Sequence, residues 1–140
     1  MNDILIAKRL LEENGYTAVL YAGGEAYHSR ERGVAPLLRF LESGKSFRGF
    51  SAADKTVGAG AAHLYTLLGV SSVWAGVLSE AGKRILTENG IAVTAEERVP
   101  YIINRTGDGV CPIERAVKDI RDPHEALAAI KKTLAALAEK

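Results

Sequence analysis

The chain has 140 residues, 47% of them hydrophobic and 25% charged, which is enough for one domain with a real core and short for two. Eighteen basic against 17 acidic residues leave a net charge of +1, so there is no electrostatic basis for holding nucleic acid or an anionic membrane. A single cysteine excludes an internal disulfide framework, and no apolar run approaches the roughly 20 residues of a membrane span. Charges interrupt the short apolar part of the N-terminus, which does not read as a signal peptide, and the expected compartment is the cytoplasm.

In chain order, Ile4, Leu5, Ala7, Leu10 and Leu11 recur at helical spacing, with Lys8, Arg9, Glu12 and Glu13 mostly opposite and Asn14-Gly15 as the stop. Thr17–Ala22 reads as a strand, Gly23-Gly24 as a hairpin turn and Glu25–Ser29 as a second, more polar strand. Val34 to Glu42 is a short helix with Pro36 in its first turn, and Phe47 to Phe50 is extended.

Ser51 to Gly69 reads as a buried helix. Ser51 serves as N-cap, Asp54 stands three residues on, Gly69 is the stop, and Val57, Gly58, Ala61, Ala62, Tyr65 and Leu68 form an apolar, mostly small-residue face. Ser71–Leu78 is a nearly all-apolar strand, as expected at the centre of a sheet covered on both faces. Ser79 caps a helix over Glu80–Glu88, and Ile91–Ala95 is the next strand. The alternation from 47 to 95 implies parallel crossover units. Val99–Ile103 is a short strand or an extended lead into the loop Asn104–Gly109. Cys111–Val117 is a short helix, and Asp122 (N-cap), Pro123 and Glu125 open a final helix with Leu127, Ile130, Leu134 and Leu137 inward.

Two stretches carry candidate chemistry. A helix start at Ser51–Thr56 would offer unpaired N–H groups and a favourable dipole to an anion, with Lys55 adding charge and Asp54 able to act as a base. The same residue types also serve simple capping. The second stretch is Asn104-Arg-Thr-Gly-Asp-Gly-Val-Cys-Pro-Ile-Glu114. Its two glycines permit close backbone approach to a ligand, and Cys111 stands at a helix start followed by Pro112 and Glu114. A thiol there, near Arg105 or Arg115, suits a nucleophile. The other reading is a buried small residue, with Glu114 closing a local capping box.

Gly58-Ala-Gly60 superficially offers a dinucleotide fingerprint, but that motif needs a strand directly before its first glycine. A helix already under way from Ser51 makes close helix–sheet packing the expectation instead. The histidines His28, His63 and His124 are far apart and share no metal motif, and one cysteine cannot build a Cys-rich zinc set. Tyr21, Tyr27, Tyr65 and Trp74 suit packing better than base stacking.

The order of elements, together with Ser51-Ala-Ala-Asp-Lys-Thr-Val-Gly58, Ala61-Ala62, and Gly109-Val-Cys-Pro-Ile-Glu114 with Ala116-Val117, resembles the cytidine deaminase-like fold. More narrowly, the chain looks like a small family of bacterial and archaeal proteins of unknown function that share it. The resemblance implies a three-layer α-β-α domain over residues 1–140. Its mixed sheet would start with the hairpin and continue with parallel strands at 71–78 and 91–95. Zinc deaminases carry His-x-Glu or Cys-x-Glu at the start of the helix that matches 51–68, and Pro-Cys-x-x-Cys at the start of the next. Here these positions read Ala53-Asp54-Lys55-Thr56 and Leu78-Ser79-Glu80-Ala81, and neither supplies zinc ligands.

The expectation is therefore a site without metal or cofactor that binds a small anionic or nucleotide-like ligand. Cys111, Lys55, Asp54 and Glu114 are the catalytic candidates. Ser51, Thr56, Asn104, Arg105, Thr106 and Gly109 are the ligand-binding ones. Neither nucleic acid nor membrane is an expected partner, and homo-oligomerisation is suggested only by the resemblance. From a different class comes a non-catalytic ligand sensor or protein-interaction module that has lost deaminase chemistry. A third idea, a dinucleotide-binding oxidoreductase through Gly58 and Gly60, falls if Ser51–Leu68 is one unbroken helix.

Overall fold

The computed structural model describes residues 2–103, 107 and 109–138. Helix α1 (Asp3–Asn14) is capped by the Asn2 side chain, which accepts from the Ile4 N–H. Strands β1 (Ala18–Ala22) and β2 (Glu25–Ser29) form a hairpin turned by Gly23-Gly24, both at positive φ. Then follow α2 (Ala35–Glu42), β3 (Ser51–Val57), α3 (Ala59–Leu68), β4 (Ser72–Ser79), α4 (Glu80–Glu88), β5 (Ala92–Val99), α5 (Pro112–Val117) and α6 (Pro123–Ala138). None of the described helices is long and apolar enough to cross a membrane.

The strands make one mixed sheet in the order β2-β1-β3-β4-β5. β1 runs antiparallel to β2 and β3, while β3, β4 and β5 are parallel, joined by the crossover helices α3 and α4. This is the mixed α/β sheet, hairpin first, that the sequence implies.

One segment differs. Ser51–Val57 is a strand, not the first turns of a helix, and the helix starts after Gly58. Ser51 and Asp54 obey the capping rule, but capping is worth only about 1 kcal/mol. Here the backbone is paired on both sides, Ala52 opposite Leu20 of β1 and Val73 of β4. Such pairing and burial override local preference. Small Ala52 and Ala53 suit a central strand with a helix close on each face. The expected extension at Phe47–Phe50 is instead a tight turn, closed by the Phe50 N–H on the Phe47 carbonyl at 3.0 Å.

Helix α1 covers one face of the sheet over a small core of Ala7, Leu11, Val19, Ala53 and Trp74. Leu5, in the expected inward stripe, points to solvent. The remaining helices cover the other face over a larger core that includes Leu20, Ala52, Val57, Val73 and Leu78. Ala52 and Val57 are an odd number of residues apart, as are Val73 and Leu78. Strict alternation would put the members of each pair on opposite faces, so both strands slip once, near Lys55 and Gly76. A Cβ on Gly76 would lie 2.7 Å from the Lys55 carbonyl oxygen, which explains the glycine. The slip leaves Lys55 and Thr56 both exposed, at the end of β3 where the candidate site lies.

Candidate functional site

The C-terminal ends of β3 and β4 deliver the chain to the starts of α3 and α4, the region where open α/β sheets place their ligand sites. Asp54 faces α3 from β3. The Tyr65 hydroxyl donates to its Oδ2 at 2.7 Å, and the Thr56 N–H donates to its Oδ1 at 3.1 Å. Both side chains are buried. Burial raises the Asp54 pKa to about 7, against the opposing pull of hydrogen bonds from Tyr65, Thr56 and Lys55. Burial and the neighbouring Asp54 together push the Tyr65 hydroxyl well above its usual range. Near neutral pH the carboxyl is therefore populated in both protonation states.

Glu114 enters from α5. Its Oε1 accepts the Ala59 N–H at 2.7 Å, closing the start of α3 from 55 residues away in sequence. The Ser79 hydroxyl, whose Oγ accepts the Gly82 N–H at 3.0 Å to cap α4, favours the charged form of this carboxylate. Burial raises the Glu114 pKa, and the bonds from Ala59 and Ser79 oppose the rise. A Cβ on Gly58 would fall 1.4 Å from Glu114 Oε1, so only glycine lets the carboxylate reach the helix. The local capping box expected within α5 is not where Glu114 goes.

A pocket of about 320 Å³ opens at this point. Asp54, Lys55 and Thr56 line it from the end of β3, Cys111 and Glu114 from the start of α5, and Arg32 from the connection before α2. The half-buried Cys111 is anchored through its backbone, its N–H donating to the Ile102 carbonyl at 2.9 Å. The pocket thus joins a thiol, two carboxyl groups and two exposed cations.

Other residues singled out in the sequence lie elsewhere. Ser51 is buried at the opposite end of β3, its Oγ accepting from Ser72 at 2.9 Å. Gly109 does not line the pocket. Asn104, Arg105 and Thr106 fall outside the described residues. Arg115 lines a neighbouring cavity.

The anion site expected at a Ser51–Thr56 helix start is replaced by a strand end, and the real start of α3 already holds the Glu114 carboxylate. Gly58 does follow a strand directly, contrary to the premise on which the sequence set Gly58-Ala-Gly60 aside, and Ser51–Leu68 is not one unbroken helix. Glu114 nevertheless occupies the N–H group that a dinucleotide phosphate would need.

Tyr65 and Arg32 carried no sequence signal for this site. A fully buried phenol needs a partner, but its identity depends on which strand lies beneath α3. The starts of α3 and α4 read Gly58-Ala59-Gly60 and Ser79-Glu80-Ala81-Gly82, which is not a zinc donor set. Among the described residues no group of three or more His, Cys, Asp or Glu is placed to hold a metal ion.

A search of curated proteins returns no match. Among solved structures, the fold is similar to that of a DUF1893 family protein, TM1506, from Thermotoga maritima. The TM-score is 0.84 at 23% identity, over 96% of this chain and 90% of that one. A more distant structure is the apo dCMP deaminase of the cyanophage S-TIM5, with a TM-score of 0.45 at 15% identity over 69% of this chain and 94% of that one. The family model for TM1506, a domain of unknown function (DUF1893), matches residues 6–134. Since that match spans nearly the whole sequence, the chain belongs to the DUF1893 family.

Proposed function

We propose that the protein is a cytoplasmic, metal-independent protein that binds a small anionic or nucleotide-like ligand in the Asp54–Cys111 pocket, with Cys111 as nucleophile. The observation that carries this reading is the convergence of Asp54, from β3, with Cys111 and Glu114, from the distant start of α5, on one pocket. Cys111 Sγ adds to an electrophilic unsaturated carbon of the ligand, the new S–C bond replacing a π bond whose electron pair moves to the attached heteroatom. The thiol proton passes to the Asp54 carboxylate, which can return it to that heteroatom. Asp54 suits that role because a carboxyl titrating near pH 7 can both take and return a proton under neutral conditions. Lys55 and Arg32 are exposed at the pocket and supply positive charge to an anionic ligand. Glu114, already bonded to Ala59, closes the start of α3.

The test is the rate of Cys111 alkylation by iodoacetamide, followed by intact-mass measurement at several pH values in wild type and Asp54→Asn. Expected are saturable protection by a ligand retained on purification and slower alkylation in the variant. A Cys111 that reacts at the rate of an unfolded thiol, untouched by Asp54→Asn, would remove the nucleophile from the proposal. The non-catalytic module is favoured by one feature, the Glu114 carboxylate filling the start of α3. For that reading, native mass spectrometry should find a bound ligand with no adduct on Cys111.

A further inference from the structure

Beside the Asp54–Cys111 pocket lies a larger cavity of about 830 Å³. Glu114 lines both, so its side chain forms part of the partition between them. Helix α4 walls the larger cavity on one side, and α5 with the turn that follows it walls the other. Ala81 and Ile85 contribute apolar surface, and Tyr101 is an exposed aromatic ring in its lining.

Four cations line this groove: Arg84 from α4, Arg115 and Lys118 from α5 and its end, and Arg121 from the following turn. Among the described residues none of them has a carboxylate within ion-pair distance. Of the acids lining the groove, Glu80 is paired with Arg98 at 3.3 Å and Glu114 is bonded to the Ala59 N–H. That leaves Glu88 and Asp119 to oppose the four cations. The charge of Arg84 reaches the buried His63, where it opposes protonation.

The start of α3 is closed by Glu114, so an anion reaching this end of the sheet meets the groove cations instead. Guanidinium forks match phosphate oxygens in pairs, and the volume falls within the roughly 300–1,000 Å³ of ligand pockets. We infer that the groove is an anion subsite for the phosphoryl group of an organic phosphate whose remainder passes Glu114 into the Asp54–Cys111 pocket. The second half of that statement rests on the function proposed above. The first half does not.

Inorganic pyrophosphate titrated into the full-length protein by isothermal calorimetry, at about 50 and 150 mM salt where screening differs, tests the groove by itself. Saturable binding should weaken at the higher salt and at least tenfold in the Arg84→Gln/Arg115→Gln variant. It should survive Lys131→Gln/Lys132→Gln on α6, outside the groove. No saturable binding by wild type, equal binding by the arginine variant, or equal weakening by the α6 variant would each overturn the inference. Cys111 alkylation in the same samples reports separately on the pocket. Pyrophosphate binding with an inert thiol sinks the nucleophile and leaves the groove standing, and a reactive thiol without pyrophosphate binding does the reverse.

Discussion

Replacing Asp54 by asparagine removes a buried charge at nearly constant shape. Burial lifts the Asp54 pKa from 3.8 to about 7 in the folded protein. Between those values the native state keeps a proton that the unfolded chain has released. Fewer protons on the unfolded state mean that stability falls as pH rises, by about 1.4 kcal/mol per unit. The contribution is whole below pH 3.8 and gone above about pH 7. The span from 3.8 to about 7 is roughly 3 units, which converts to about 4 kcal/mol in all.

Asparagine is neutral throughout. Its oxygen can accept the Thr56 N–H while its NH₂ group donates to a reoriented Tyr65 hydroxyl, so both hydrogen bonds survive. Urea unfolding followed through Trp74, the sole tryptophan, supplies the comparison at pH 5 and pH 8. About two units of the window lie in that range, so wild type should lose about 3 kcal/mol more than the variant. Differencing the two proteins matters because other groups titrate in both. Glu114, also raised by burial, adds a slope of the same sign. His63, whose pKa burial lowers, contributes the opposite sign and costs stability as pH falls below its usual range. Equal pH slopes in wild type and Asp54→Asn would refute the claim that burial governs this carboxyl.

Two further perturbations address the contacts around it. Gly58→Ala drives Glu114 off the start of α3, and Glu114→Ala removes the same bond. Each should cost about 2 kcal/mol in thermal or urea unfolding. Because they destroy one interaction, the double variant should lose clearly less than the sum, and full additivity would mean that the two residues do not depend on each other. Tyr65→Phe strips a hydrogen-bond donor from the Asp54 carboxylate. It should raise the carboxyl titration further and cost about 1–2 kcal/mol at pH 8, with a smaller loss at pH 5. Carbon-detected NMR of the Asp54 carboxyl gives the titration directly, and an unmoved midpoint would show that the phenol does not stabilise the charged form.

Local rules reach far along this chain. The Asn14-Gly15 stop, the Gly23-Gly24 turn, the Ser79 cap and the Asp122-Pro123 opening each act within a few residues, so α1, the hairpin, α4 and α6 could be read directly. The apolar run of β4 carried its own central position, and with it the parallel half of the sheet. The local reading misplaced β3 because Ser51, Asp54 and the alanines between them satisfy a helix cap as readily as a strand. Only pairing with β1 and β4 decides between the two. The site itself was legible as residue types, the acid–lysine pair and the lone thiol, but not as bonds. The nearest rule gives Glu114 to its own helix, while folding gives it to Ala59 and sets Tyr65 against Asp54. A cap or propensity term is worth about 1 kcal/mol or less, whereas a buried donor left without an acceptor costs about 1–3 kcal/mol. Donors and acceptors therefore settle with whatever partner the packed sheet and helices bring within reach.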